Sequence, residues 1–191
     1  KVDNYSYYFD NKKHEYFHVS INKKWGVVNN NNEIIIPFTY ETNECKREFK
    51  NNFAAVKVNE RWGFVNTKGI LVIPTEYEKA NDYNGNTFEV RILGKWGVVD
   101  LNNKQVIPCI YENLEYLGNE FYAVEKNSKW GIIDSKNNLV CEFIYEKMGK
   151  DPDSHTIRIL RDDKNKINVE VKLNGKTFWI NEECRCISGC K

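Results

Sequence analysis

The stretch Lys24-Trp25-Gly26-Val27-Val28-Asn29 decides the fold, because close variants of it return three more times in the chain. The later copies begin at Arg61, Lys95 and Lys129, and the four tryptophans are 37, 34 and 34 residues apart. A fixed spacing in this range is typical of stacked supersecondary units. The sequence therefore predicts a repeat protein with one unit for each Trp-Gly pair: Trp25-Gly26, Trp62-Gly63, Trp96-Gly97 and Trp130-Gly131.

Other residues keep a fixed distance from each tryptophan. Asn or Asp follows it by four residues, and Pro follows the first three tryptophans by twelve. Tyr-Glu follows by fifteen and sixteen: Tyr40-Glu41, Tyr77-Glu78, Tyr111-Glu112 and Tyr145-Glu146. We interpret the Trp, Gly and Tyr as structural, with the large rings at the seams between units and the glycine allowing close approach. The repeated Glu is expected to pair with the Lys or Arg that precedes a tryptophan.

Each copy has the pattern of three short strands. Alternating apolar residues precede the tryptophan, as in Ala54-x-Val56-x-Val58, and a two-residue turn leads into the Trp-Gly strand. A second turn begins at the Asx residue, and a third strand follows it. The sequence therefore predicts an all-β protein of tandem three-stranded antiparallel meanders, about 34 residues each. We expect them to stack as an open superhelical array, with a closed propeller-like ring as the alternative.

The predicted boundaries treat the whole chain, 1–191, as a single repeat domain. A degenerate fifth copy lacks the Trp-Gly pair but keeps a hairpin signal at Asn174-Gly175, as expected of a terminal repeat. The only helix candidate is short, at Glu44–Lys50. The segments are an N-terminal cap at 1–15, full repeats at 16–52, 53–86, 87–120 and 121–154, and the degenerate capping repeat at 155–191.

Charge and hydropathy argue against some functional classes. The chain has 28 Lys and Arg against 27 Asp and Glu, a formal net charge of +1, so there is no electrostatic argument for nucleic-acid binding. No apolar run is long enough to span a membrane.

The six cysteines show no repeat pattern. Three fall at unrelated repeat positions and are interpreted as small apolar residues in a reducing compartment: Cys45, Cys109 and Cys141. Three crowd the C-terminus, where free thiols, a disulfide within the cluster and a metal site stay open: Cys184, Cys186 and Cys190. These cysteines slightly favour the cytoplasm, while secretion stays open because the chain begins at Lys1 rather than at Met.

No pattern of catalytic or metal-ligating residues is present. The sequence has no G-x-S-x-G, P-loop or G-x-G-x-x-G motif, and His14, His18 and His155 lack metal-ligand spacing. His18 is expected to be exposed, on the strand face opposite Val19. The acidic residues recur in every repeat, whereas an active site needs one asymmetric arrangement. The sequence therefore predicts a protein that is not an enzyme and has no cofactor.

Residues 16–146 resemble the WG-containing repeat family, also called KWG repeats. The Trp-Gly pairs, the Asx residues after them, the strand ends of Ile-Ile-Pro type and the Tyr-Glu pairs carry the resemblance. It implies a bacterial, all-β protein without assigned catalytic residues, often secreted or attached to other domains. It also implies a scaffold or adhesion-type role.

We therefore expect a non-enzymatic module that binds another protein in a scaffold, adhesion or inhibitor-type role. The linkers vary on a constant frame, and specificity in repeat arrays resides in such positions. The predicted contact residues are Tyr83, Tyr116 and Leu117, in the linkers at 79–86 and 113–120. The long insertion at 147–166 is the alternative location. Binding of a glycan or cell wall is the second hypothesis, and it requires an exposed row of aromatic rings. The candidate rings are Tyr83, Tyr116 and Tyr122, together with Tyr5, Tyr7 and Tyr8.

Overall fold

The structure is a computed structural model that describes residues 2–9, 15–41, 49–81, 84–85, 87–148 and 157–189, of which 2–9, 15 and 16 are described by their backbone alone. Within these ranges every regular element is a β-strand. The prediction of an all-β fold is therefore confirmed. The short helix predicted at Glu44–Lys50 lies mostly outside the described residues.

The chain divides into two compact units, residues 1–93 with 99–104, and residues 94–98 with 105–191. The third repeat contributes residues to both units. The strands that begin before residue 94 are β1 (Val2–Phe9), β2 (Glu15–Ile21), β3 (Lys24–Asn29), β4 (Ile34–Glu41), β5 (Phe53–Val58), β6 (Arg61–Asn66), β7 (Leu71–Tyr77), β8 (Lys79–Ala80) and β9 (Phe88–Ile92).

The later strands complete the third, fourth and fifth repeats. They are β10 (Lys95–Val99), β11 (Gln105–Tyr111), β12 (Asn113–Gly118), β13 (Phe121–Lys126), β14 (Lys129–Asp134), β15 (Leu139–Tyr145), β16 (Lys147–Met148), β17 (Ile159–Arg161), β18 (Ile167–Leu173), β19 (Lys176–Asn181) and β20 (Cys186–Ser188).

Five antiparallel sheets follow one another along the chain, one for each repeat. They comprise β1–β4, β5–β7, β8–β11, β12–β15, and β16–β20. The predicted tandem meanders are present, but four of the sheets gain a strand ahead of the meander. In the first sheet the added strand is β1, from the N-terminal cap, whereas in the third, fourth and fifth sheets it arises because the chain stays extended after Tyr-Glu. The amide N–H of Glu112 donates to the carbonyl of Glu125 (2.9 Å), and that of Glu146 donates to Lys172 (2.8 Å), which begins the pairing of the next sheet.

Local turn chemistry fixes the two hairpins of each meander. The two-residue turns have left-handed backbone at both positions, as at Asn59 and Glu60 (φ 49° and 61°). In the second turn the Asx side chain accepts from the backbone N–H groups two and four residues on, as Asp134 does from Lys136 (2.9 Å) and Asn138 (2.8 Å). Among the described residues this pattern occurs in five second turns and in the turn after β17: Asn29, Asn66, Asp100, Asp134, Asn181 and, after β17, Asp162.

The glycine after each tryptophan makes room for the third strand. A Cβ on Gly63 would lie 2.4 Å from the carbonyl oxygen of Ile73, and one on Gly131 would lie 2.7 Å from that of Cys141. The third strand bulges toward the glycine here, since its register shifts opposite this position. Any side chain would therefore displace the backbone of the third strand, which explains why the glycine recurs with the tryptophan.

The sheets pack through two kinds of face. The tryptophan face carries the Trp and the residues two and eleven positions after it, such as Trp130, Ile132 and Cys141. The receiving face carries the residues eight and six before the Trp and three after it, such as Tyr122, Val124 and Ile133. In the first unit Trp25, Val27 and Ile36 pack on the receiving face of the second repeat: Ala54, Val56 and Val65.

The second unit has two such joints, a joint being the contact of one tryptophan face with the next receiving face. Val98 and Ile107 of the third repeat lie against Tyr122 and Val124 of the fourth. The tryptophan face of the fourth repeat lies against the fifth: Val169, Val171 and Ile180. Trp25 and Trp130 are buried, whereas Trp62 and Trp96 are partly buried. Stacking thus supplies the core that a single meander lacks.

Candidate functional site

The predicted contact residues do not form one exposed patch. Leu117 is 3% exposed and packs in the core of the second unit with Ile157. Tyr116 is partly buried, and its ring centroid lies 5.1 Å from that of Tyr122. Tyr83 lies outside the described residues. Leu117 is therefore a core residue in this fold, and only part of the Tyr116 side chain is exposed to solvent.

The predicted linker at 113–120 is mostly strand β12, and it is held against the segment before β18. The backbone N–H of Ile157 donates to Glu115 Oε1 (2.5 Å), and Asn119 Nδ2 donates to the carbonyl of Asn165 (2.8 Å). The two places that the sequence offered as alternatives for a partner site, 113–120 and 147–166, therefore contact each other in the second unit.

Arg161 ties this contact together. Its guanidinium donates to Asn119 Oδ1 (3.3 Å) through Nη1 and to the carbonyl of Leu117 (3.5 Å) through Nη2. Gly118 has a left-handed backbone (φ 100°), and a Cβ there would lie 2.2 Å from Nη2 of Arg161. The glycine thus permits the left-handed backbone of the turn and leaves room for the guanidinium of Arg161.

The resulting surface, which we name the insertion surface, consists of Tyr116, Asn119, Leu160, Arg161 and Asn165. Leu160 is 55% exposed on β17, while its neighbour Ile159 is turned inward and packs against the core. The turn that follows is charged and exposed over Asp162, Asp163 and Lys164. The insertion surface therefore combines one exposed aliphatic side chain with polar and charged neighbours.

Sequence reasoning located the insertion but not its central side chain. It did not show which residues of that segment face the core. Register decides this, because Leu160 pairs with Asn168 and Ile159 with the buried Val169. The sequence of a single short strand does not show how that strand pairs with its neighbour.

Tyr-Glu connects each repeat to the next. The hydroxyl groups of Tyr77 and Tyr111 donate to the side-chain oxygens of Asn103 and Asn137 in the second turn of the following repeat, each at 2.7 Å. The glutamates accept from the tight turn of the following repeat, as Glu41 does from the N–H of Asn59 (2.6 Å) and Glu146 from that of Asn174 (3.0 Å). Both residues of the pair therefore have structural roles at the joints.

The expected ion pair forms in two of the four repeats. Lys95 Nζ lies 2.9 Å from Glu112 Oε1, and Arg61 Nη1 lies 4.0 Å from Glu78 Oε1. The hydrogen bond from Lys95, opposed by desolvation and reinforced by the turn N–H groups of Asn127 and Ser128, holds the pKa of Glu112 below its usual value. The hydrogen bond to the next turn, rather than the ion pair, is the more general reason for the glutamate.

The cysteines correct the sequence interpretation. Cys141 is joined to Cys184 in a disulfide, and Cys186 is disulfide-bonded as well. The interpretation of Cys141 as a reduced apolar residue was therefore wrong, because the fold brings the third strand of the fourth repeat beside the second turn of the fifth. Cys109 is a free cysteine, and burial raises the pKa of its thiol. Cys45 and Cys190 lie outside the described residues.

His18 was also predicted wrongly. It is 4% exposed and stacks on Trp25, with ring centroids 5.9 Å apart. His14 and His155 lie outside the described residues. Among the residues that the structure describes, no three His, Cys, Asp or Glu side chains are grouped to hold a metal ion, and no helix could cross a membrane.

The fold and the joints define a class, that of tandem β-meander repeats stacked through tryptophan faces. The model of the WG containing repeat family matches residues 25–62, 62–96, 96–130 and 130–151. The chain belongs to this family. No curated protein matches it.

Solved structures give only distant likenesses. A structure titled as the eukaryotic initiation factor is 10% identical over 98% of this chain and 64% of its own, with a TM-score of 0.48. Hsv2 with loop 6CD replaced by a Gly-Ser linker is 9% identical over 94% of this chain and 63% of its own, at 0.49. A protein of unknown function from Bacteroides caccae is 12% identical over 95% and 83%, at 0.33. The chain spans less than two thirds of the first two, and likenesses at these scores carry no functional argument.

Proposed function

We propose that the chain is a non-enzymatic repeat module that binds another protein through the insertion surface. The observation that carries the proposal is the meeting of 113–120 with 157–166. The segment at 157–166 has no counterpart in the other full repeats, and three side chains fasten it and 113–120 into one surface: Glu115, Asn119 and Arg161.

The chemistry of the insertion surface fits a protein partner. Leu160 offers a free aliphatic anchor, and the partly exposed Tyr116 adds an aromatic one. Arg161 is already fixed by its hydrogen bonds, so a partner need not order it on binding. Both acidic and basic side chains are exposed next to the anchor, at Asp162, Asp163 and Lys164, which suits a partner with mixed charge.

The aromatic residues do not favour the glycan alternative. Tyr122 is 2% exposed and Tyr116 packs against its ring, so these two do not form an open stacking platform. The other candidate rings, Tyr5, Tyr7, Tyr8 and Tyr83, lie outside the described side chains. A protein partner is therefore the function that the described geometry supports better.

The roles of the recurring polar residues support a protein that is not an enzyme. The Asx residues close turns, the tyrosines and glutamates hold joints, and the glycines admit the third strand. These roles account for the residues that recur in every repeat. The residues that the repeat frame does not require lie on the surface. We assign that surface to binding in a scaffold, adhesion or inhibitor-type role.

The test is affinity capture from the native organism with the chain and its Leu160→Glu variant, followed by binding measurements with each captured protein. We expect Leu160→Glu to weaken binding at least tenfold, because it places a charge at the centre of the contact. Ile144→Glu is the matched control, since Ile144 is 45% exposed on the frame strand β15.

The two variants must keep the unfolding midpoint of the parent for the comparison to stand. Equal binding by the parent and Leu160→Glu would remove the insertion surface as the site. Loss of binding in Ile144→Glu alone would move the site to the closing strands of the sheets.

A further inference from the structure

The receiving face of the first repeat is partly exposed, whereas the same face is covered in every later repeat. At the three positions that define this face, every later repeat is at most 2% exposed: Ala54, Val56, Val65, Phe88, Val90, Val99, Tyr122, Val124, Ile133, Val169, Val171 and Ile180. The same positions in the first repeat, Phe17, Val19 and Val28, are all partly exposed. The first sheet therefore keeps the apolar surface of a joint while only part of that surface is covered.

The fifth repeat shows the opposite end of a joint. Trp179 stands two residues after the position of the missing repeat tryptophan, where Val27, Phe64, Val98 and Ile132 are at most 1% exposed. Trp179 itself is partly exposed, and Ser188, at the position of the buried Ile36, Ile73, Ile107 and Cys141, is exposed. The outer face of the last sheet thus holds one large apolar ring among small polar side chains.

These two faces are complementary in kind. The three joints described above each place a tryptophan face on the receiving face of the next repeat along the sequence. The fifth sheet offers a tryptophan face with a single large ring, and the first offers a receiving face with two small valines. We infer that a second copy of this chain binds here, with its fifth sheet stacked on the first sheet head to tail.

A backbone contact of the existing joints supports the same direction of stacking. In two of these joints the fourth residue of the second turn lies against a carbonyl of the preceding repeat, ten positions after that repeat's tryptophan. Cys184 Sγ is 2.9 Å from the carbonyl of Val140, and a Cβ on Gly69 would be 2.1 Å from that of Ile35. Head-to-tail stacking would place Asn32 against the carbonyl of Ile187, where the amide of Asn32 can donate. Both residues are exposed.

The inference is independent of the insertion surface, which lies on other residues. Head-to-tail contacts between unlike faces are heterologous, so they allow growth beyond a dimer. We therefore expect the weight-average mass to rise with concentration above that of the 22.5 kDa chain in sedimentation equilibrium. Association should leave the unfolding midpoint of a dilute sample unchanged.

Two single variants test the faces separately. Val19→Lys blocks the first-sheet face, and Trp179→Lys blocks the fifth-sheet face. Each position is already partly exposed, so a lysine can extend its ammonium to solvent without loss of the fold. Each variant alone should sediment as a monomer. Their equimolar mixture should give a 1:1 complex and no larger species, because each variant keeps the face that the other has lost.

Four results would overturn the inference. A parent chain that stays monomeric at every concentration would show that no second copy binds. Self-association that persists in Trp179→Lys would show a symmetric contact between first sheets. A mixture of the two variants that remains monomeric would contradict the pairing of these two faces. A Val28→Lys variant, also on the first-sheet face, that associates as the parent does would place the contact elsewhere.

Discussion

The two joints of the second unit hold similar apolar faces together by different chemistry. Between the third and fourth repeats, the Tyr111 hydroxyl donates to the Asn137 side chain in the second turn. Between the fourth and fifth, Cys184 occupies the turn position of Asn137, with nearly the same backbone (φ 62° and 65°), and it is bonded to Cys141. Tyr145 therefore faces no Asn, and a covalent link stands at the joint where the repeat is most degenerate.

This difference shows how a terminal repeat is kept in place. The fifth copy has lost the Trp and Gly, so the geometry that fixes the third strand in the other repeats is absent. A disulfide removes conformations from the unfolded chain, and it does not need the lost side chains. We expect the joint between the third and fourth repeats to depend on packing and hydrogen bonds, and the last joint to depend on the disulfide.

The largest effect should come from Cys184→Ala. In the chain-entropy description, opening a loop with a sequence separation of 43 costs about 4 kcal/mol of stability. Hydrogen exchange of the amides of Val169 and Val171 should accelerate while that of Val124 changes less. Cys109→Ala is the control, since Cys109 is free. Equal unfolding free energies for parent and Cys184→Ala would show that packing alone holds the fifth sheet.

The tryptophans should rank by burial. Trp130→Ala should cost about 3–4 kcal/mol, because Trp130 is 8% exposed and belongs to the last joint. Trp96 is only partly buried, so Trp96→Ala should cost about 2 kcal/mol, below the range for fully buried rings. Chemical denaturation of both variants provides the measurement. The reverse order would mean that the joint between the third and fourth repeats carries more of the stability than the last joint.

A smaller effect distinguishes the two tyrosines. Tyr111→Phe should cost about 1 kcal/mol, the usual contribution of one hydrogen bond, whereas Tyr145→Phe should cost close to nothing. Cys184→Asn should then make the hydroxyl of Tyr145 useful, because Asn tolerates the left-handed backbone at that position. A double-mutant cycle in the Cys184→Asn background measures this coupling. No coupling there would show that the Tyr–Asn bond needs more than the turn residue.

The sequence sufficed to predict the frame because each frame residue acts locally and recurs. Asp100 and Asp134 close turns through their own neighbours, and Gly97 and Gly131 clear space for the strand that follows. Four copies of the same requirement make such residues visible without any structure. Strand order within each meander follows from the short turns.

What the sequence could not predict depends on contacts between distant segments. Cys141 and Cys184 are 43 residues apart and share no repeat position, so only the stacked fold brings them together. Leu117 resembles an exposed linker residue until β12 places it in the core beside Ile157. His18 is buried because it lies against Trp25 of the next strand and against Phe49 from a later segment. In each case contacts that form only in the folded chain, rather than residue type, decide the environment of the side chain.

The smallest expected effect separates the charged part of the joint between the third and fourth repeats from its apolar part. The hydrogen bond from Lys95 lowers the pKa of Glu112 in the folded chain. A carboxyl whose folded pKa is depressed contributes stability above its unfolded pKa, near 4.3, and that contribution is lost as the pH falls through the folded pKa. Because the pair is about one-third exposed, the contribution should stay below about 1 kcal/mol at neutral pH. Urea unfolding of the parent and of Glu112→Gln should therefore differ at pH 7 and converge in acid. Lys95→Met should remove most of that pH dependence, and a parent–variant difference that persists unchanged at low pH would assign the role of Glu112 to neutral packing.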